Sequence, residues 1–306
     1  AGEGTRFDND APAVQAAIDS GTTTVFVPQG SYRILSPVRV RGNVRRVTGV
    51  GAGSQIGGGN NSSGIPYTNI IWLVTTGTYA TVVIENMSCG SLQLCTGADN
   101  QSSRTLVLRH LFLQPPRFTG TGDIFVEDVC ARYWEFNGQR VWARQINPEG
   151  EDTNALGVAR LHLMQRGGSL WILGLKTEDW PTILDAADGA QTEILGGMIY
   201  SLDDARNSPM IRTSNSFCSI FAGEYLGYYG QPYATLVDET HGLERRTLLR
   251  GAPTYPATWS QNNDGTTVGS SGVVGSDFGL YVSKTMPEPT LLGVLALGGL
   301  LLRRRG

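Results

Sequence analysis

A short pattern recurs along this chain at nearly constant spacing, and it limits the folds open to it. VVIENM (82–87), LVLRHL (106–111), IFVEDV (124–129) and VWARQI (141–146) each run apolar, then polar-polar, then apolar, at offsets of 24, 18 and 17 residues. Glu85, Arg109, Glu127 and Arg144 fall in one column, and Asn86, His110, Asp128 and Gln145 in the next. Met87, Leu111, Val129 and Ile146 close the pattern. SLWILGLKTE (169–178) and QTEILGGMIY (191–200) continue it 22 residues apart with Gly174 over Gly196, and SIFAGEYL (219–226) follows. Self-similarity at about 20 residues signals a stacked solenoid.

Strict alternation puts residues two apart on one face of a strand. Here Ile84 and Met87, three apart, both read as inward. A sharp bend between them resolves the conflict. The bend column holds Asn86, His110, Asp128, Gly174 and Gly196. Asn, Asp, His and Gly are the residues that tolerate a left-handed backbone. Each coil therefore reads as strand, tight bend, strand, longer loop, strand. The alternating signs of Glu85, Arg109, Glu127 and Arg144 would attract along the stack. His110 and Asp128 read first as bend residues, not as a catalytic pair.

Composition agrees with a β-rich chain of many turns. There are 40 Gly among 306 residues, and no long helical heptads. The formal net charge of −3, with no basic stripe, argues against nucleic acid as a partner. GVGAGSQIGGG (49–59) is Gly-rich but lies among strands with no helix after it, so it reads as a loop, not a nucleotide site. Four cysteines without a Cys-x-x-Cys pair, and three histidines, make no standard zinc site. They read as small buried side chains, with pairing of Cys89 and Cys95 as the alternative in an exported protein.

At the amino end, Asp10 precedes Ala11-Pro12, a helix start. Val14, Ala17 and Ile18 form one apolar stripe and Gly21 ends the helix. TVFVPQGSYRI (24–34) then reads as strand, turn, strand. An open solenoid needs its first coil covered, and this helix is the expected cap. The opening Ala1-Gly2-Glu3-Gly4 carries no signal-peptide pattern, so the expectation is a cleaved signal or a truncated start.

Asp8-Asn9-Asp10, Ala13-Val14-Gln15-Ala16-Ala17-Ile18 and Val27-Pro28-Gln29-Gly30-Ser31-Tyr32, followed by Val50-Gly51-Ala52-Gly53, resemble the opening of the rhamnogalacturonase/epimerase-type domain of the pectate-lyase-like superfamily. The motif covers Asp8 to about Gly53; the later coils match by period only. The usual Gly-Ala-x-Gly-Asp-Gly lead-in is largely absent. The resemblance implies an all-β, right-handed parallel β-helix, one solenoid over 1–259 with an N-terminal cap helix.

At the other end, Pro287-Glu288-Pro289, an apolar run from Leu291 to Leu302 and Arg303-Arg304-Arg305 resemble a PEP-CTERM sorting signal. That resemblance implies a Gram-negative host, processing by an exosortase, and delivery to the cell surface or extracellular matrix. The run is short for a full membrane span of about 17–25 residues, so the tail helix would hold the chain only transiently. The expected division is then 1–259 β-helix, 260–285 Gly/Ser/Thr-rich linker and 286–306 sorting signal.

A fold does not give a function. The superfamily holds lyases, glycosidases, epimerases, tailspikes and adhesins, so the chain is expected to bind or act on extracellular polysaccharide. Glycosidases need two carboxyl groups, and lyases a base, often with Ca²⁺. The candidate catalytic set is Lys176, Glu178 and Asp179 with Asp185 or Asp188, because these come from sequential coils. Arg144 with Glu149, and the aromatic faces of Trp171, Trp180 and Tyr200, are the candidate substrate-binding residues. Tyr225, Tyr228, Tyr229 and the acidic loops 147–152 and 203–204 are weaker candidates, since acidic loop rims are commonly just solvated. No cofactor is identified beyond Ca²⁺ for a lyase. Oligomeric state is not legible. The opposing expectation is a non-catalytic, adhesin-like matrix protein.

Overall fold

The computed structural model describes residues 9–57, 70–88, 97–113, 116–149, 161–179, 181–201, 208–226, 233–249 and 275–283. In chain order these carry α1 (Ala11–Asp19), β1 (Thr24–Phe26), β2 (Gly30–Arg33), β3 (Val38–Gly42), β4 (Arg46–Gly57), β5 (Ile70–Gly77), β6 (Thr81–Ser88) and β7 (Gly97–Asn100). Next come β8 (Thr105–Leu113), β9 (Ile124–Ala131), β10 (Trp134–Asn137), β11 (Arg140–Pro148), β12 (Leu163–Arg166), β13 (Ser169–Glu178) and β14 (Leu184–Ala187). The last are β15 (Gln191–Ser201), β16 (Pro209–Ser214), β17 (Phe217–Leu226), β18 (Thr235–His241), β19 (Glu244–Leu249) and β20 (Gly275–Val282).

The architecture is an all-β, parallel, solenoid-like stack. An 11-stranded sheet runs β1-β4-β6-β8-β9-β11-β13-β15-β17-β20, with β2 also on β4. A six-stranded sheet runs β10-β12-β14-β16-β18-β19, and a three-stranded one β3-β5-β7. Every pairing is parallel except the last in each of the two larger sheets, where β19 and β20 return antiparallel. Residues 275–282, expected within a linker, are therefore a strand. Glycines 49–57, expected in a loop, lie within β4 and pair irregularly with β6.

The bend column stands in register. Asn86, His110, Asp128 and Gln145 all have φ between 49° and 58°, and Gly174 and Gly196 have φ of 83° and 77°. Glu85 pairs with Arg109, Arg109 with Glu127, and Glu127 with Arg144. The bend turns each long strand into two legs and lets residues three apart both face inward. Ile84 and Met87 are both buried, as are Ile172 and Leu175 across Gly174. A side chain added at Gly196 would meet nothing within 4 Å, so the site isolates the backbone term. Gly196→Ala is expected to lower stability by about 1–2 kcal/mol from left-handed strain alone. Chemical denaturation checks it.

Inside, Val82, Ile84, Leu106, Leu108, Ile124, Val126, Val141 and Ala143 stack as parallel apolar columns, all essentially buried. Trp134, Phe118 and Phe136 form an internal aromatic stack, with Phe118–Phe136 centroids at 5.5 Å. Helix α1 buries Ala11, Val14 and Ile18 and packs on β3. Its start is held differently from the expectation. The Asp10 side chain makes no cap hydrogen bond and instead accepts from the Arg33 amide at 2.9 Å. Asn9 Oδ1 accepts from Ala11 and Leu35 amides, both at 3.1 Å.

Cys130 and Cys218 are free thiols. Cys89, Cys95, the acidic residues 151–152 and 203–204, Trp180, and residues 284–306 lie outside the described residues. Among those described, no helix is long and apolar enough to cross a membrane.

Candidate carboxylate cradle and aromatic ladder

The second legs of β9, β11 and β13 put Cys130, Asn147, Lys176 and Glu178 on the outward face of the large sheet. Cys130 pairs with Asn147, and the Glu149 amide donates to Ala131 O at 2.8 Å just beyond β11. Lys176 Nζ donates to Glu149 Oε1 at 2.5 Å and also to Glu178 Oε1. The Cys130 thiol donates to Glu149 Oε2 at 3.2 Å. The three charged side chains are only partly open to solvent.

The electrostatics follow from that geometry. Burial pushes Glu149 up, but hydrogen bonds from Lys176 and Cys130 outweigh it, and its carboxyl sits below the usual range. Burial pushes Lys176 down, but the two glutamates outweigh it and hold the ammonium protonated. Burial, then Glu149, push the Cys130 thiol far up. His162, just ahead of β12, is 1% exposed, and neither ring nitrogen has a hydrogen-bond partner among the described residues. Burial, then the charge of Lys176, pull it down to about 3, so it stays neutral.

The first legs of the same strands carry an aromatic ladder. Phe125 pairs with Trp142, and Trp142 with Trp171, on three successive coils. The Phe125 and Trp142 rings stack at 4.8 Å, and the Arg140 guanidinium lies 5.7 Å over the Trp142 ring. Arg144, two residues from Trp142 on the same face, binds Glu127 at 2.8 Å. Period-2 counting outward from the buried columns would have found Phe125 and Trp142.

Of the residues singled out from sequence, Lys176, Glu178, Glu149 and Tyr200 come together, Tyr200 being the neighbour of Glu178 on the next coil. Arg144 and Trp171 lie on the adjoining legs. Asp185 does not join them. It belongs to β14 in the six-stranded sheet, where Arg166 at 2.8 Å and Arg212 at 3.0 Å hold its carboxylate from the coils on either side. Asp179 and Asp188 are left-handed bend residues with φ of 70° and 62°. Asp188 stands in the exposed turn after β14, and Asp179 follows Glu178 directly. His110 and Asp128 touch at 3.1 Å on the exposed bend row.

A hollow of about 170 Å³ lies between α1 and β1, lined by Val14, Ala17, Phe26 and Tyr32 among others. It is mostly apolar, and its one carboxylate, Asp10, is committed to a backbone amide, so it carries no comparable chemistry. Among the described residues, no group of three or more His, Cys, Asp or Glu side chains is placed to hold a metal. Comparison with protein-family models, curated proteins and solved structures returns no match.

Proposed function

We propose that this chain is an exported polysaccharide-binding protein of the cell surface or matrix, a right-handed parallel β-helix of the pectate-lyase-like kind capped by α1. Pro287-Glu288-Pro289, the apolar run 291–302 and Arg303–Arg305 support sorting by an exosortase, with the tail holding the chain in the membrane only transiently. The observation that carries the binding role is the in-register ladder Phe125–Trp142–Trp171. Successive strands lie about 4.8 Å apart, so the three aromatic side chains, with Arg140 and Arg144 beside them, line one outward strip over three coils along which a glycan can lie.

The state of the cradle disfavours two of the roles that turnover would need, a lysine base and Glu149 as general acid. A general base must be able to lose its proton near neutral pH, and Lys176 is held protonated. A general acid needs a raised pKa, and that of Glu149 is lowered. The enzyme reading keeps one observation of its own. Two carboxylates on one ammonium are as close as in retaining glycosidases, at about 5–5.5 Å or less.

Titration against a polysaccharide panel, followed by tryptophan fluorescence, tests the proposal. Trp142→Ala and Trp171→Ala are each expected to weaken binding about tenfold, from lost stacking of about 0.5–1.5 kcal/mol beyond the area buried. Reducing-end and unsaturated-product assays should stay at background. Unchanged binding in both variants, or turnover that Glu178→Gln abolishes, would overturn the reading.

A further inference from the structure

One outward column of the large sheet changes chemistry part-way along. It carries Glu85, Arg109, Glu127 and Arg144 on successive coils, then Leu173, Leu195 and Phe221 on the coils that follow. A column facing water is favoured to stay charged, as its earlier members are. Yet Leu173 is 44% and Phe221 52% exposed, with Leu195 half-buried between them. Trp171 stands two residues before Leu173 on the same face. The apolar column therefore continues the ladder Phe125–Trp142–Trp171 into one oblique strip from β9 to β17. An apolar strip this continuous marks a surface that something covers.

What covers it is constrained by where the chain goes next. Strand β20 returns antiparallel along β17 and brings Ser283 to the start of that strand. The Ser283 amide donates to Cys218 O at 2.9 Å, and Ser283 Oγ accepts from the Cys218 amide at 3.1 Å. Phe221 lies three residues further along β17, about 10 Å away. The seven residues 284–290 reach at most about 25 Å, so the apolar run Leu291–Leu302 can begin over Phe221. From there the apolar path leads back over Leu195 and Leu173 to the ladder. From Phe221 to Phe125 is four strand spacings, about 19 Å. The twelve residues of the run, wound as a helix, would be about 18 Å long. Charge has little part in the fit, since Asp123 is paired to Arg140 and Glu127 to Arg144 beside the ladder. A segment tethered this closely is present at an effective concentration of about millimolar, which a second copy at micromolar concentration does not match.

We propose that the apolar run Leu291–Leu302 folds back within its own chain onto Phe221, Leu195, Leu173 and Trp171, and covers the aromatic ladder while the tail is attached. The docking stands on the strip and the exit point at Ser283. Its consequence rests on the polysaccharide-binding reading: an attached tail competes with a glycan, and removing the tail opens the ladder.

The test is photo-cross-linking of the whole chain in detergent-free buffer, with benzoylphenylalanine in place of Leu173 or of Phe221. Both positions are exposed, so the core is untouched. Phe26, exposed at the far end of the sheet, is the control position. Cross-links to residues 291–302 are expected from positions 173 and 221 and not from 26. A mixture of isotope-labelled and unlabelled chains should show them to lie within one chain. Val294→Asp together with Leu297→Asp, which keeps the tail's length and charges the run, should abolish them. Titrated with the polysaccharide panel, that double variant should bind about tenfold more tightly than the native chain, the gain expected if the run covers the strip nine-tenths of the time. No cross-link from 173 or 221 to residues 291–302, or an equal yield from 26, would overturn the inference. Cross-links between labelled and unlabelled chains would make the strip an interface between copies and overturn it too. Intact cross-links with no glycan bound by either chain would overturn the polysaccharide reading and leave the docking in place.

Discussion

Gly122→Ala is expected to destabilise the fold by about 4 kcal/mol or more, an effect confined to a short list of mechanisms. A Cβ at Gly122 would stand 1.9 Å from Arg104 O and 2.9 Å from Asn100 Nδ2. Neither can step aside. Asn100 Nδ2 donates to that same Arg104 oxygen at 2.8 Å, and Asn100 Oδ1 accepts from Ser102 Oγ at 2.8 Å. The Arg104 side chain is buried, and its guanidinium donates to Tyr79 O at 2.7 Å and Val44 O at 2.6 Å. Moving the Arg104 backbone therefore pulls a buried charge off the carbonyls that solvate it. Overpacking alone costs about 1–3 kcal/mol, and each orphaned buried polar group about 1–3 more. The melting temperature should fall by roughly 8 °C or more. Gly196→Ala, which meets no atoms, is the matched control. A Gly122→Ala chain that melts within a degree or two of that control would show the coils can slide apart here at little cost.

The knot around Arg104 was invisible in the sequence, and the contrast with the bends is instructive. Bends were legible because a left-handed backbone selects among few residues, and Asn86, His110, Asp128 and Gly174 announce it. The column Glu85, Arg109, Glu127, Arg144 followed from the same spacing. Contacts between elements have no such local signature. Asp185 read as a partner of Lys176 because both lie on sequential stretches. Successive strands of one coil face different directions, however, so β14 carries Asp185 round to another sheet and to Arg166 and Arg212. Strand β20 was hidden because Gly and Ser composition suggested a spacer. The alternation from Ser276 to Val282 was the better guide. The cradle was half legible. The sequence points to Lys176 and Glu178 as one group and to Glu149 with Arg144 as another. Their meeting depends on Glu149 lying just past the end of β11, one coil below Glu178.

Glu85→Gln tests the other large electrostatic element. Glu85 is fully buried, yet Arg46 Nε, at 2.5 Å, and the Arg109 guanidinium both donate to it from the coils on either side. Burial pushes its carboxyl up, but the hydrogen bonds from Arg109 and Arg46 outweigh that, and the folded-state pKa lies below the ordinary value. A depressed folded pKa gives stability that is fully present above the unfolded pKa of about 4.3 and is lost as pH falls through the folded value. The native chain should therefore lose stability as it is acidified below about pH 4.5, and part of that slope belongs to Glu85. Glu85→Gln keeps the shape and removes the charge. It should cost about 2–3 kcal/mol at pH 7. That is less than the 3–5 kcal/mol of a wholly buried pair, because both arginines are partly exposed and water takes them back. The deficit should close as the pH drops, since protonating the native glutamate makes the same change, and the two denaturation curves should converge in acid. A Glu85→Gln deficit as large in acid as at pH 7 would mean that the side chain acts by packing alone, and that the alternating charges along these coils hold nothing in register.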